Sequence, residues 1–479
     1  MRHKSKKQHP LKKAFNSWRL FGTRMLASKA WEKFVVDSYR FRRGITRDVP
    51  QFPACLSLGT PPKSLGKKSS LRICYLLHYF FPDKQGGTER FVLNLAKCQR
   101  QLGNNVCVVT LGKRPIKEYP KRIGDMLCKE LYVDGITVFQ IRYRRAPRGL
   151  YYDQINPADS VMEAFAEEFI RQYRPDIVHF AYPQPFASFA SVCWKFGIPY
   201  VVTLTDFNIF CHYASLVKKN GMFCSGSCKG KNCNSCRTYG VKDTQKRFDA
   251  AQKMLAGAAF VSVPSRFVAN VMVQEFSGLY PCVIPHGINE SFASVRMRTS
   301  TRRIIYAGTL APLKGIALLL RAFKRLRRDV SLEIYGGGTS GYVRFLRGIV
   351  KRDNRITFCG EVPVNQMPGI YQRADCIVVP SIWFETYNFV LREALASGCL
   401  AVVSNIGAMP EAVCVGSNGF LFEAGNEETL LAALENACDF DWDKYVCQAF
   451  PHIETEAADY AAIYQTAFET RLRGDKSGL

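Results

Sequence analysis

The chain has 479 residues, of which 47% are hydrophobic and 22% are charged, which fits two or three folded domains and excludes a largely disordered chain. Lys and Arg outnumber Asp and Glu by 66 to 40, so a polyanionic neighbour is expected. No run of about 18 apolar residues occurs, and the basic start has no apolar core, so neither a membrane-spanning helix nor a secretory signal is predicted.

Residues 1–70 form a strongly basic extension with 17 Lys or Arg and 3 Asp or Glu. Apolar residues recur at spacings of three and four between Leu11 and Met25 and between Trp31 and Tyr39, which predicts amphipathic helices. Such helices suit an anionic membrane surface, so we expect residues 1–47 to hold the protein peripherally on the cytoplasmic face of the cytoplasmic membrane. Packing on the protein's own body is the alternative, and no nucleic-acid partner is expected.

Residues 71–285 alternate short apolar runs with helical segments, beginning with a strand at Leu71–Leu77 and a helix from about Thr88 to Leu102. Residues 286–453 repeat this alternation, and residues 454–473 read as a final helix. Apolar strands alternating with helices indicate parallel sheets covered on both faces. The sequence therefore predicts an α/β protein with two doubly wound, Rossmann-like domains facing a cleft, where ligands of such sheets bind.

Two glutamates in the second domain lie in a pattern typical of a nucleotide-sugar site. Glu385 falls in the loop after a predicted strand at Cys376–Val379, and Glu393 lies about one turn into the next helix. The start of that helix offers free backbone N–H groups for a phosphate, and a carboxylate beside it suits the vicinal hydroxyls of a sugar or ribose. The alternative is that Glu385 is an ordinary loop residue and Glu393 a solvated residue on the surface of the helix. The helix begins with Asn388, Phe389 and Val390.

Two glycine-containing loops complete the predicted site. Gly308 follows a strand and leads to Lys314, whose ammonium would meet a diphosphate at the next helix start, although a plain surface lysine is the alternative. Gly86 and Gly87 follow the first strand and permit close approach of the backbone to a ligand. They do not form the dinucleotide fingerprint, which needs three spaced glycines.

Together these segments resemble the family-4 retaining glycosyltransferases of the GT-B fold. The resemblance covers residues 71–470 and includes Gly86–Glu89, Gly308–Gly315, the glutamate pair and the later loop Ser404–Glu411. It implies a hexosyltransferase-like enzyme that moves a sugar from a nucleotide diphospho-sugar to a hydroxyl of a glycan or lipid-linked acceptor, with retention and no cofactor. Synthesis of cell-envelope polysaccharide or glycolipid is the expected setting.

The resemblance also implies a role for each matched residue. Glu393 would hold the ribose hydroxyls and Glu385 would contact the donor sugar. Lys314 would neutralise the diphosphate, with help from the backbone at Asn388–Val390. Gly86 and Gly87 would lie against the sugar and the phosphates. The final helix, residues 454–473, would cross back onto the first domain.

Two departures from the family pattern bear on activity. Thr309 stands where the family often has Arg, with Arg266 as a candidate substitute, and Thr205 stands where a His commonly precedes the residue that matches Asp206. We nevertheless predict that Asp206 is a catalytic residue. A GT-B synthase of soluble sugar metabolism and an inactive partner subunit are the alternative functions.

A glycine-rich loop of the first domain concentrates four cysteines within thirteen residues. Four thiols at such a spacing predict a structural zinc site that would shape the acceptor pocket without taking part in catalysis. An iron–sulfur cluster and free or disulfide-linked thiols are the alternatives. The four residues are Cys224, Cys228, Cys233 and Cys236.

Overall fold

The computed structural model of the protein describes residues 59–62, 70–112, 114–144, 159–218, 221–236, 244–292 and 298–474. The described chain forms two α/β domains, each built on one sheet, which confirms the predicted GT-B architecture. The basic segment 1–47, predicted to bind membranes, lies outside the described residues. Among the described helices, none is both long and apolar enough to cross a bilayer.

The first domain contains a nine-stranded sheet and five helices of the described chain. Its strands are β1 (Arg72–Leu77), β2 (Asn105–Leu111), β3 (Lys121–Ile123), β4 (Met126–Val133), β5 (Ile136–Tyr143), β6 (Ile177–Phe180), β7 (Tyr200–Thr203), β8 (Phe260–Val263) and β9 (Cys282–Val283). Their order in the sheet is β3-β4-β5-β2-β1-β6-β7-β8-β9. Its helices are α1 (Gly87–Gln101), α2 (Ser160–Tyr173), α3 (Ala187–Lys195), α4 (Thr244–Ala256) and α5 (Arg266–Glu275).

Both faces of this sheet are buried. Along β1, Cys74 and Leu76 join one hydrophobic cluster, whereas Ile73, Tyr75 and Leu77 join another. Successive side chains of a strand point to opposite faces, so a central strand buried on both sides reads as a continuous apolar run. The sequence RICYLL of β1 has this character.

The second domain contains a six-stranded parallel sheet in the order β12-β11-β10-β13-β14-β15, the arrangement of doubly wound nucleotide-binding domains. Its strands are β10 (Arg303–Ala307), β11 (Ser331–Tyr335), β12 (Ile356–Gly360), β13 (Cys376–Val379), β14 (Leu400–Ser404) and β15 (Gly419–Phe422). Its helices are α6 (Ile316–Arg325), α7 (Ser340–Val350), α8 (Met367–Arg373), α9 (Phe389–Ala396) and α10 (Glu427–Cys438).

The last helix, α11 (Ile453–Gly474), packs on the first domain although it follows the second in the chain. Tyr460 and Tyr464 are fully buried there. The Tyr464 hydroxyl contacts Nδ1 of His179 at 2.7 Å, and the Tyr460 hydroxyl contacts the Thr203 hydroxyl at 2.9 Å. These buried polar contacts fix the rotation of α11 on the sheet.

One edge of the first sheet differs from the simple βα alternation of the sequence. Strands β3, β4 and β5 pair in antiparallel fashion, and only β5 then joins β2 in parallel. The turn between β4 and β5 is Asp134-Gly135, and both residues have positive φ (49° and 77°). An Asp-Gly pair between two strand-like runs is a strong hairpin signal, so this edge was detectable from sequence.

Candidate active site

The candidate site lies where the strand order of the second sheet reverses. Gly308 follows β10 and Glu385 follows β13, and these two strands are neighbours on either side of the reversal. Open α/β sheets bind ligands at such a point. A cavity of ≈ 1500 Å³ opens here, and both domains line it, with Arg90 on one side and Gly308 and Glu393 on the other.

Glu385 is held by three donors that converge on one carboxylate oxygen. Its Oε1 accepts hydrogen bonds from Lys314 Nζ at 2.7 Å, from the Ser381 hydroxyl at 2.7 Å and from Trp383 Nε1 at 2.8 Å. Burial alone would raise the pKa of this carboxyl, but the charge and hydrogen bond of Lys314 and the hydrogen bonds of Ser381 and Trp383 together outweigh it, and the pKa is lowered. Glu385 is therefore a fixed anion in a rigid setting.

Lys314 ends a short 3-10 turn that precedes α6. Its ammonium lies 4.9 Å from the centroid of the Trp383 ring and also forms an ion pair with Glu385. Two neighbouring side chains therefore position it. The next residue, Gly315, has φ of +70°, and a Cβ there would lie 1.7 Å from the Pro380 carbonyl oxygen. Only glycine permits this close approach, which brings the Lys314 turn against the loop that carries Glu385.

Glu393 is almost fully buried on α9 and has partners from both domains. Its Oε1 accepts a hydrogen bond from the guanidinium of Arg90, which belongs to α1 of the first domain. Its Oε2 accepts a longer one from the Tyr371 hydroxyl at 3.3 Å. The sequence placed Glu393 in the site but gave no sign of this partnership across the cleft.

The start of α9 faces the glycine loop of the first domain. Asn388 has φ of +66°, and its side-chain oxygen accepts a hydrogen bond from the backbone N–H of Leu391 at 3.0 Å, so it caps the helix. A Cβ on Gly87 would lie 3.6 Å from the Phe389 ring, so the two loops are in near contact. Val390 lines the cavity on the same wall.

The other predicted glycines, Gly308 and Gly86, lie where neighbouring parts of the chain approach closely. Gly308 has φ of +145°, and its carbonyl oxygen would lie 1.9 Å from a Cβ on Gly336. Gly336 belongs to a run of three glycines after β11 that lines the cavity and that the sequence reasoning missed. On the opposite wall, a Cβ on Gly86 would lie 2.5 Å from a carboxylate oxygen of Glu89.

Asp206 follows β7 in the first domain and has a different environment from the glutamates. Its Oδ1 accepts a hydrogen bond from the backbone N–H of Asn208 at 2.8 Å. Burial raises the pKa of Asp206 to about 6, and the more distant charges of Lys84 and Arg247 only partly oppose this. Asp206 therefore keeps its proton to a higher pH than a solvent-exposed aspartate does.

Thr205, which precedes Asp206, joins the two domains. Its carbonyl oxygen accepts a hydrogen bond from the Thr386 hydroxyl at 2.7 Å, and its hydroxyl lies 2.9 Å from that of Thr88. The Thr205 hydroxyl therefore has a structural role. Thr386 directly follows Glu385, so this contact also fixes the glutamate loop.

A second junction connects the domains at the start of α5. The backbone N–H groups of Arg266 and Phe267 donate to the two carboxylate oxygens of Glu411 at 3.2 and 2.6 Å. A carboxylate of one domain therefore caps a helix of the other. The residues that line the cavity include Arg90 but not Arg266, and they also leave out Lys314, Glu385 and Asp206.

The cysteine loop is arranged differently from its prediction. Cys228 is exposed, whereas Cys233 is buried. Burial raises the pKa of the Cys233 thiol to about 12, and the nearby thiols of Cys211, Cys224 and Cys236 contribute to the rise. Within the described ranges, no three His, Cys, Asp or Glu side chains are grouped to hold a metal ion. The structure therefore does not support the predicted zinc site at Cys224, Cys228, Cys233 and Cys236.

Comparison with protein-family models gives two matches. Residues 85–292 match the model described as Glycosyltransferase Family 4, and residues 301–439 match the model described as Glycosyl transferases group 1. The first match covers the glycine loop and Asp206, and the second covers Gly308, Lys314 and both glutamates. The division between the matches falls between the two sheets.

Similar proteins include enzymes that act on different acceptors. Glycogen synthase of Mycobacterium tuberculosis is 34% identical over 164 residues, 33% of this chain and 39% of that protein. Lipopolysaccharide 1,2-N-acetylglucosaminetransferase of Salmonella typhimurium is 27% identical over 202 residues, 37% of this chain and 53% of that protein. The chain thus spans about two fifths to one half of the length of these relatives.

Among solved structures, HepE of Anabaena in complex with UDP is similar in fold. The TM-score is 0.57 at 18% sequence identity, and the match covers 85% of this chain and 100% of that chain. Sequence identity at this level supports a common fold alone.

Proposed function

Because this chain belongs to the family-4 glycosyltransferases and has the GT-B fold, we propose that it transfers a sugar from a nucleotide diphospho-sugar to a hydroxyl of a glycan or lipid-linked acceptor. The observation that carries the proposal is the set of three donors converging on Glu385 beside the start of α9. A buried carboxylate with three donors on one oxygen, next to a helix N-terminus, suits a donor sugar joined to a diphosphate.

In the proposed reaction, the bond between C1 of the sugar and the β-phosphate oxygen breaks, and its electron pair stays on the diphosphate. The acceptor oxygen bonds to C1 on the face that the diphosphate leaves, so the configuration is retained. The acceptor proton passes to the departing phosphate. Lys314 and the backbone N–H groups at the start of α9 stabilise the charge that builds on that phosphate.

The proposed roles of the residues divide between the two walls of the cleft. On the donor wall, Glu393 binds the ribose hydroxyls and Glu385 contacts the sugar. On the acceptor wall, Gly86 and Gly87 lie against the sugar, and Asp206 lies near the end of β7 where the acceptor hydroxyl enters. We propose an acceptor of the cell envelope, as for the similar lipopolysaccharide glycosyltransferase, and a soluble acceptor is the alternative, because a glycogen synthase is similar as well.

We further propose that residues 1–47 bind the anionic membrane surface and bring the cleft to a lipid-linked acceptor. The excess of Lys and Arg in this segment supports the proposal. Sedimentation with vesicles of phosphatidylglycerol and phosphatidylcholine tests it: the full chain should co-sediment, and a chain lacking residues 1–47 should stay in solution. Equal co-sedimentation of both chains would contradict it.

The first test of the transferase proposal is binding of UDP, GDP and ADP to the full chain, followed by release of the nucleoside diphosphate from the matching nucleotide sugars. A ligand at about 100 times its Kd stabilises a protein by about 2.7 kcal/mol, which raises Tm measurably. Glu393→Ala should abolish the rise, whereas Glu435→Ala, which removes an exposed glutamate from α10 of the same domain, should keep it. Absence of any rise in the wild type would favour an inactive partner subunit.

A further inference from the structure

Arg90 is a cation that the first domain extends into the donor wall of the second. It lies on α1, just beyond the glycine loop, and only 22% of its side chain is exposed. Its guanidinium bonds Oε1 of Glu393 and lies 4.9 Å from the centroid of the Phe389 ring. One side chain thus contacts both the carboxylate proposed for the ribose and the first residue of the helix proposed for the diphosphate.

This contact competes with the proposed use of Glu393. Arg90 occupies one oxygen of Glu393, and the Tyr371 hydroxyl contacts the other, so both oxygens have partners in the structure. Ribose hydroxyls are neutral donors that would replace a cation at this carboxylate. The displaced guanidinium would then need another anion, because a partly buried charge without a partner is costly.

A diphosphate at the start of α9 would be that anion. The guanidinium already lies over the Phe389 ring at this helix start, and its planar fork matches phosphate oxygens in pairs. Lys314, the other cation assigned to the diphosphate, is engaged by Glu385 at 2.7 Å. A second cation on the leaving group would therefore come from across the cleft.

We propose that Arg90 is a diphosphate-binding residue that exchanges Glu393 for the donor phosphates when the nucleotide sugar binds. The proposal rests on the proposed function and deepens it, because it assigns part of the donor site to the first domain. It makes donor binding depend on the approach of the two domains.

The test compares nucleosides with nucleoside diphosphates. Calorimetry at fixed ionic strength measures binding of UDP, GDP and ADP, and of uridine, guanosine and adenosine, to the full chain. Arg90→Gln should weaken binding of the preferred diphosphate roughly 10- to 100-fold, as expected for a lost contact to a charged group. The matching nucleoside should bind as well as before or better, because Glu393 is released. Arg90→Lys should restore part of the diphosphate affinity.

Arg100→Gln is the matched control, since it removes the same charge from the same helix at a position that bonds the Gly135 carbonyl instead. It should leave both affinities unchanged. Equal weakening of nucleoside and diphosphate by Arg90→Gln would make Arg90 a structural contact only, and no weakening would exclude it from the donor site. Either result would overturn the exchange while wild-type binding still supported the proposed function; failure of the wild type to bind any diphosphate would overturn both.

Discussion

Two carboxylates of the candidate site, Glu385 in the second domain and Asp206 in the first, differ in how the fold treats their charge. Glu385 has an ammonium and two further donors on one oxygen, and its pKa is lowered. Asp206 has a backbone N–H from Asn208, and burial raises its pKa to about 6. Burial opposes ionisation at both sites, so the difference comes from the Lys314 ammonium together with the Ser381 and Trp383 donors.

The contrast matches the needs of the two walls in the proposed reaction. The donor wall must present a fixed field to a diphosphate, which is negatively charged at every physiological pH. The acceptor wall receives a neutral hydroxyl whose proton passes to the departing phosphate, so no fixed protein charge is needed there. The donor wall is therefore preorganised by a fixed charge, whereas the acceptor wall needs none.

The largest expected effect follows from removing the fixed charge. Glu385→Gln should lower kcat by about 100- to 1000-fold, because an amide cannot accept from Lys314, Ser381 and Trp383 as an anion does. The Kd for the nucleoside diphosphate should change little, since Glu385 is assigned to the sugar. Initial rates and calorimetry on the same preparation measure both quantities. Glu423→Gln, at an exposed position of the same domain, is the control, and equal rates for the two variants would remove Glu385 from the site.

A smaller effect should follow from removing one of the three donors. Ser381→Ala deletes one neutral hydrogen bond to Glu385 and should lower kcat about 3- to 10-fold, with the pH profile of kcat unchanged. Ser404 offers a matched comparison, because its buried hydroxyl has no hydrogen-bond partner in the described structure. Ser404→Ala should leave kcat unaltered. A loss as large as that of Glu385→Gln would show that the three donors act as one unit.

The smallest effect concerns the stability of the acceptor wall. Between pH about 4 and about 6, Asp206 keeps its proton in the folded chain and loses it in the unfolded chain, so rising pH lowers the free energy of unfolding. Asp206→Asn removes this contribution. Its Tm should therefore rise relative to that of the wild type as pH increases through this window. A constant difference in Tm would show that Asp206 ionises as freely as in an unfolded chain.

Local patterns predicted much of this molecule. Glu385, Glu393 and Gly308 were predicted from strand–loop–helix segments, each of which is recognisable from a short stretch of local sequence. The role of Trp383 could not be predicted in this way, because sequence cannot show that its ring N–H donates to Glu385. The Asp-Gly turn of the β4–β5 hairpin carried a signal that the strand–helix alternation obscured.

Contacts between distant segments could not be predicted in this way. Arg90 and Glu393 are 303 residues apart, and no periodicity relates them. The cysteine loop shows the same limit, since spacing grouped Cys228 with the others, whereas Cys211 from outside the loop neighbours Cys233 instead. Irregular loops with left-handed residues, such as Cys228 itself at φ 49°, place side chains by conformation and not by spacing.

The return of α11 to the first domain has a consequence for how the chain is made. The hydroxyl of Tyr464 bonds that of Tyr75 at 3.2 Å across 389 residues of sequence. At about 5 to 20 residues per second, a ribosome needs roughly 20 to 80 s between these two tyrosines. The first sheet is complete only once Val283 has been made, 181 residues before Tyr464, so its α11 face stays uncovered for roughly 9 to 36 s of that interval. The nascent first domain therefore waits for the second to be completed, and this exposed face is where a chaperone would be needed.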